Sequence, residues 1–152
     1  MKDFNGKEML NVFNIALKIA EKAHEGQLDK AGEPYINHPI RVSNSFKPTQ
    51  VVERTVALLH DVLEDSDITV QDLRQAGIPN FIIECVECLT RKSNESYPQF
   101  IMRCSKHEIT TAVKLADLED NLDVKRLREL GQNDLIRINK YLEARRFLIG
   151  EK

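Results

Sequence analysis

The sequence predicts one compact all-α domain, a bundle of about seven or eight helices, and three observations carry that prediction. Apolar residues recur at i, i+3, i+4 and i+7 along most of the chain. No segment sustains a period of two, so no strand is expected. Glycine, proline and polar clusters punctuate the helical pattern at short intervals, which gives several helices rather than one long rod.

Met9, Val12, Phe13, Ala16, Leu17, Ala20 and Ala23 make the apolar stripe of a long first helix, which Gly26 interrupts. Residues 26–39 hold two glycines and two prolines and read as a loop with turns. Ile40, Val42 and Phe46 then indicate a short helix stopped near Lys47-Pro48. Thr49 is the expected cap of a helix carrying Val52, Thr55, Val56, Leu59, Val62 and Leu63 and running to Glu64-Asp65. Thr69-Val70-Gln71-Asp72 resembles a capping box, and Gly77 closes the short helix it opens. Pro79 suits the first turn of the next helix, which extends to about Thr90. After the polar loop 91–96, helices are expected near Pro98–Cys104 and over about Glu108–Asp123. A last helix from about Asn133 places Leu135, Ile138, Tyr141, Leu142 and Leu148 on one side.

Composition narrows the functional classes. The chain has 152 residues, enough for one domain with a substantial core, with 41% hydrophobic and 30% charged residues. Its 22 basic and 24 acidic side chains leave a formal charge of −2, without the basic excess that bulk nucleic acid demands. An anionic ligand therefore has to be met by a local cluster of donors or by a metal. No apolar run approaches the roughly 18 residues of a membrane span, and Met1-Lys2-Asp3 leads into polar sequence. The expectation is a soluble, cytoplasmic protein with no membrane partner. Cys85, Cys88 and Cys104 are an odd number with no secretory context, which speaks against a disulfide framework. Cys85 and Cys88 have C-x-x-C spacing but lie in an amphipathic helical stretch without the remaining ligands of a zinc site, so they read as packing residues.

The polar residues that interrupt apolar stripes carry the chemistry. In Leu58-Leu59-His60-Asp61-Val62-Leu63-Glu64-Asp65 a histidine and an aspartate lie inside an apolar helix, and two more acids follow one turn later. Carboxylates crowded this way raise one another's pKa unless a cation intervenes, and acids at a helix C-terminus oppose the macrodipole. His38 stands at a loop-to-helix junction before Pro39, and Asp117 interrupts the stripe Val113–Leu122 with Asn121 one turn beyond. His38, His60, Asp61 and Asp117 come from three separate segments and form an N₂O₂ set suited to Mn²⁺, Fe²⁺ or Zn²⁺. His24, His107, Arg91-Lys92 and Arg145-Arg146 are read as packing or solvated groups.

Four ordered motifs together resemble the HD-superfamily hydrolase domain of the RelA/SpoT alarmone enzymes, especially their small single-domain relatives. They are Ala23-His24-Glu25-Gly26-Gln27, Gly32-Glu33-Pro34-Tyr35-Ile36-Asn37-His38-Pro39, Leu58-Leu59-His60-Asp61-Val62-Leu63-Glu64-Asp65, and Val113-Lys114-Leu115-Ala116-Asp117 with Asn121. The resemblance runs from about Leu10 to Leu127 and implies one HD-type metal-dependent phosphohydrolase domain over 1–152. It implies one divalent ion, Mn²⁺ ahead of Fe²⁺ or Zn²⁺, on His38, His60, Asp61 and Asp117. It implies hydrolysis of the 3′-pyrophosphate of ppGpp or pppGpp, with Glu64 and Asp65 activating water and Lys30 and Asn121 binding the nucleotide. Two positions depart from the pattern. Asp29 stands where relatives carry an arginine that stacks on guanine, and Val124 where they often carry a hydroxyl residue. Two alternatives therefore stand beside the alarmone reading. One is an HD phosphohydrolase for another nucleotide, such as a nucleoside monophosphate or NADPH, and the other is a non-catalytic nucleotide-binding module.

Overall fold

The structure of the protein is a computed structural model that describes residues 5–151; the Met1-Lys2-Asp3 start lies outside the described residues. These residues form α1 (Gly6–Ala23), α2 (Asn37–Asn44), α3 (Val51–Leu59), α4 (Val62–Asp65), α5 (Val70–Gln75), α6 (Asn80–Leu89), α7 (Tyr97–Cys104), α8 (Glu108–Leu122) and α9 (Gln132–Ile149). A one-turn 3-10 helix, Val124–Arg126, follows α8. Among the described residues the only strand-like pairing is an isolated bridge between Leu28 and Pro34, so the all-α expectation holds.

The bundle is organised around α3, whose Thr55–Leu59 segment is buried on all sides. A continuous apolar run suits a helix with no solvent face. α1, α2, α6 and α8 pack around it, with Val12, Ala16, Ala20, Val42, Ile82, Ile83, Val86, Val113 and Leu118 completing the core. Each such large side chain contributes about 1.5–3 kcal/mol on burial. His60 follows directly on the end of this helix, so the best-packed element of the fold delivers the imidazole into the interior, where it is 2% exposed.

The helix starts follow local chemistry. Asn5 and Glu8 form a capping box at α1, and Thr69–Asp72 form the one expected at α5. Gly77 takes a φ of +89°, the left-handed conformation that lets the chain leave that helix. At α7 the cap is Ser96, the last residue of the polar loop, with Gln99 completing a capping box.

Four sequence-based expectations need correction. The helix expected from Thr49 to Asp65 is two, because it breaks at His60-Asp61. His60 Nδ1 takes the Ala57 carbonyl at 2.6 Å, the acceptor that the Asp61 amide has in an unbroken helix. Thr49 is not the cap; Gln50 is, and its side chain instead accepts from the Lys47 amide at 3.0 Å. His38 lies inside the first turn of α2, which starts earlier than the apolar pattern shows. On α9, Leu135 is 50% exposed and Leu142 38% exposed, while only Ala144 is fully buried. That helix packs on α7 and α8 through Tyr141, Ala144 and Leu148, while Leu135, Ile136, Leu142, Phe147 and Ile149 stay exposed.

The cysteines are free, as expected. Cys104 is buried with its thiol 3.5 Å from the Cys88 carbonyl, and Cys88 directs its own toward the Arg103 carbonyl. No helix among the described residues is long and apolar enough to cross a membrane.

Candidate functional site

Three packed elements bring the four dispersed residues together. The start of α2 supplies His38, the α3–α4 break supplies His60 and Asp61, and the middle of α8 supplies Asp117. One ligand atom each from His38, His60 and Asp61 lies within 4.8 Å of the others. Asp61 Oδ2 is 3.1 Å from His60 Nε2 and 3.6 Å from His38 Nε2. Asp117 Oδ1 mirrors it, 3.1 Å from His38 Nε2 and 3.6 Å from His60 Nε2. His38, His60 and Asp61 thus form the tight group, with Asp117 Oδ1 beside both ring nitrogens.

The electrostatics are those of a cation site. Burial disfavours a charged His38 or His60, but neighbouring carboxylates outweigh it and hold both imidazoles above their ordinary value. Asp117 and Asp120 do this for His38, and Asp61 and Asp117 for His60. Burial likewise opposes ionisation of Asp61 and Asp117, yet His60 holds the first carboxyl below its usual range and Lys114 the second. His60 Nε2 is buried with Asp61 Oδ2 at 3.1 Å and Asp117 Oδ1 at 3.6 Å but makes no well-aligned hydrogen bond, whereas Nδ1 makes one. A buried polar atom left without one costs about 1–3 kcal/mol. A divalent ion among the four residues satisfies that nitrogen and neutralises both carboxylates, so the donor set fits one.

The supporting shell was largely invisible in the sequence. Lys114, almost fully buried, places Nζ 2.7 Å from Asp117 Oδ2 and 5.0 Å above the Phe100 ring. Its i,i+3 spacing to Asp117 inside an apolar stripe was the available signal. Tyr35 donates its hydroxyl to Asp61 Oδ2 at 2.6 Å. Asn121 donates to Asp117 Oδ1 at 2.6 Å, so the residue expected to bind nucleotide also steadies a candidate ligand. His24 is buried against Tyr35, ring centroids 4.9 Å apart, and bonds Gln27; it packs beside the site rather than entering it.

Glu64 and Asp65 are exposed on α4, one turn beyond Asp61. Partial burial raises both carboxyls above the usual range, and Asp61 adds to the effect. They face different walls. Glu64 accepts a hydrogen bond from the Arg91 backbone and feels Lys114, whereas Asp65 lies by His24, His60 and Tyr35.

A cleft of about 330 Å³ opens over His38 and Tyr35. Lys30 and Asn121 line it, as do Arg126 and Arg137, which sequence reasoning missed. Lys30 is 61% exposed on the loop between α1 and α2 and only loosely tied to Asp134, at 3.9 Å. Asp29 is occupied: Oδ1 accepts the Ala31 and Glu33 amides, and Oδ2 pairs with Arg126 Nη1 at 3.1 Å. The acid that departs from the resembled pattern is therefore neutralised by an arginine from the opposite wall.

Comparison with known proteins agrees with this architecture. The HD domain family matches residues 16–130, and the chain belongs to that family. It is similar to the bifunctional (p)ppGpp synthase/hydrolase SpoT of Escherichia coli, 32% identical over 120 residues, 70% of this chain and 17% of that protein. It is also similar to the guanosine-3′,5′-bis(diphosphate) 3′-pyrophosphohydrolase of Vibrio cholerae, 31% identical over 117 residues, 68% of this chain and 16% of that protein. The chain thus spans about one sixth of the length of these curated relatives. Among solved structures, a metazoan ortholog of SpoT, described as hydrolysing ppGpp, superposes with a TM-score of 0.72. That match covers 98% of this chain and 88% of the other at 22% identity, and it shows the shared fold.

Proposed function

We propose that this domain is a guanosine 3′,5′-bis(diphosphate) 3′-pyrophosphohydrolase, which adds water across the 3′-pyrophosphate ester of ppGpp to give GDP and pyrophosphate. The carrying observation is the cluster of His38, His60, Asp61 and Asp117, whose His38 lines a cleft together with Lys30, Arg126 and Arg137. The names of the relatives supply the substrate class. In this reading His38, His60, Asp61 and Asp117 hold one divalent ion, Mn²⁺ first, and the protein works in the cytoplasm. The bound ion supplies Lewis-acid polarisation of a phosphoryl oxygen and a more acidic water. Glu64 or Asp65, whose carboxyls burial and Asp61 hold above the usual range, accepts the proton from the attacking water. Lys30 and Arg137 draw the phosphate groups into the cleft, and Asn121 holds Asp117 while presenting its amide at the cleft wall.

The test is a nucleotide panel with Mn²⁺-loaded protein and product identification by phosphorus NMR. Pyrophosphate release from ppGpp is the expected result. A second reading, hydrolysis of another nucleotide, is favoured by Asp29, which binds Arg126 and leaves no arginine at its own position. Orthophosphate release from monophosphates or NADPH with ppGpp intact replaces the first reading by the second.

Metal binding in this reading is linked to protons. His38 and His60 are raised in the metal-free fold, so their protonation stabilises that fold below the ordinary histidine range and is lost as pH rises through the raised values. Both imidazoles must be neutral to bind the ion, so affinity moves in the opposite sense. The gap in melting temperature between Mn²⁺-loaded and metal-free protein is expected to widen from about pH 6 to about pH 8.5. Calorimetric scans across that range check it; a gap that is constant or narrows argues against these histidines as ligands.

A further inference from the structure

The two histidines of the centre are oriented by different groups. His60 Nδ1 is held by a backbone carbonyl, that of Ala57, inside its own helix turn. His38 Nδ1 is held by a side chain from another helix: Asp120 Oδ2 on α8, at 2.7 Å. Asp120 lies one turn beyond Asp117, so the same face of α8 presents a carboxylate to each ring nitrogen of His38. An ionised carboxylate only accepts, so Nδ1 carries a hydrogen, and when the ring gives up its second proton it is Nε2, facing Asp61 and Asp117, that is left with the lone pair for an ion.

Asp120 is itself fixed. Arg41, one turn beyond His38 on α2, grips both its oxygens, Nε to Oδ1 at 2.7 Å and Nη2 to Oδ2 at 3.0 Å. Arg126 adds a contact to Oδ2 at 3.3 Å and reaches on to Asp29 in the loop that carries Lys30. Burial opposes ionisation of Asp120, but His38 and Arg41 hold its carboxyl well below the usual carboxylate range. A carboxylate backed by a bidentate arginine has little freedom to swing, and neither has the imidazole bonded to it.

We propose that Asp120 is the positioning residue of the metal centre, fixing the Nδ1-protonated form of His38 and aiming Nε2 at the ion, with Arg41 as its brace. The inference rests on the metal reading given above and concerns a residue that does not touch the ion. Outer partners of this kind are worth about 10–100-fold in metal affinity.

The experiment titrates Mn²⁺ alone into wild-type protein and into Asp120→Ala, Asp120→Asn and Arg41→Ala, following free Mn²⁺ by electron paramagnetic resonance. Circular dichroism of the metal-free proteins reads the fold. Asp120→Ala is expected to lose about 10–100-fold in affinity. Asp120→Asn, which keeps an acceptor oxygen and nearly the same shape, recovers part of that loss and serves if the alanine variant does not fold. Arg41→Ala loses less than Asp120→Ala, because the contact to His38 remains. Long-range nitrogen–proton spectra of the metal-free proteins, at a pH where His38 is neutral, add a signature that a merely structural role leaves unmoved: His38 is Nδ1-protonated in the wild type and loses that preference in Asp120→Ala. Wild-type uptake of Mn²⁺ with Asp120→Ala within about twofold of it, or an unchanged His38 tautomer in that variant, overturns this inference alone. A wild-type protein that takes up no ion overturns the metal reading and this inference with it.

Discussion

Asp61→Ala protein is expected to emerge from gel filtration in Mn²⁺ buffer essentially free of metal and to have no measurable pyrophosphohydrolase activity. Its Oδ2 sits 3.1 Å and 3.6 Å from the two imidazole Nε2 atoms and contributes negative charge as well as a donor. The loss should therefore exceed the roughly 10–100-fold caused by removing an outer partner. The substitution also strips Tyr35 of its hydrogen-bond acceptor, which costs the fold about 1–3 kcal/mol for a hydroxyl left unpaired in partly buried surroundings. Melting of the metal-free variant separates the two effects, since the stability cost appears without metal and the affinity cost only with it. Unchanged metal content by atomic absorption means that the centre is misassigned.

The second large effect concerns the acids on α4. Glu64→Gln and Asp65→Asn remove charges outside the four-residue centre, so both variants are expected to retain Mn²⁺ with near wild-type affinity. The variant that lacks the proton acceptor loses about 10²–10⁴-fold in kcat with little change in KM, the usual contribution of a positioned base. The other loses less, because its carboxylate only orients. The surroundings already divide the pair: Glu64 lies toward the Arg91 backbone and Lys114, whereas Asp65 lies beside Tyr35 and His60. Steady-state kinetics on both variants check this. Equal, small losses in kcat for both, with metal retained, remove general-base catalysis by α4 from the mechanism.

How far the sequence reached depended on how each residue announces itself. His60, Asp61 and Asp117 stood out because each is a polar residue where the helical period calls for an apolar one, and an ionisable group in such a place needs a partner; His38 stood out at a loop-to-helix junction before Pro39. Asp120 did not. It lies between Glu119 and Asn121 on a half-exposed helix face, where an acid looks like any solvated charge until α2 brings Arg41 and His38 against it. The pairing of Asp29 with Arg126 was hidden for the same reason, since the partner is 97 positions away. Periodicity also ran straight through His60-Asp61, because apolar spacing continues across the break. What ends α3 is one side-chain nitrogen taking a backbone acceptor, and the hydrophobic pattern carries no trace of it. On α9 the apolar residues were legible, but which of them find neighbours is decided by where the helix docks along α7 and α8.

The ligand-bearing segments are spread widely along the chain, from α2 through the end of α3 to α8, while the buried apolar cluster around α3 contains none of the four. This separation sets an order of events during folding. The loop bearing Asp29 and Lys30 is held by its own backbone hydrogen bonds and gains a tie to the later part of the chain when the 3-10 helix after α8 arrives with Arg126, so the mouth of the cleft is completed after most of the chain has been placed. Contacts between distant positions form late because their loop-closure entropy must be met first. A chain emerging from the ribosome therefore carries no competent pocket until α8 and the turn after it are synthesised. In small zinc modules the ion drives the collapse; under the proposed metal reading, an ion here would meet a scaffold that hydrophobic packing has already built.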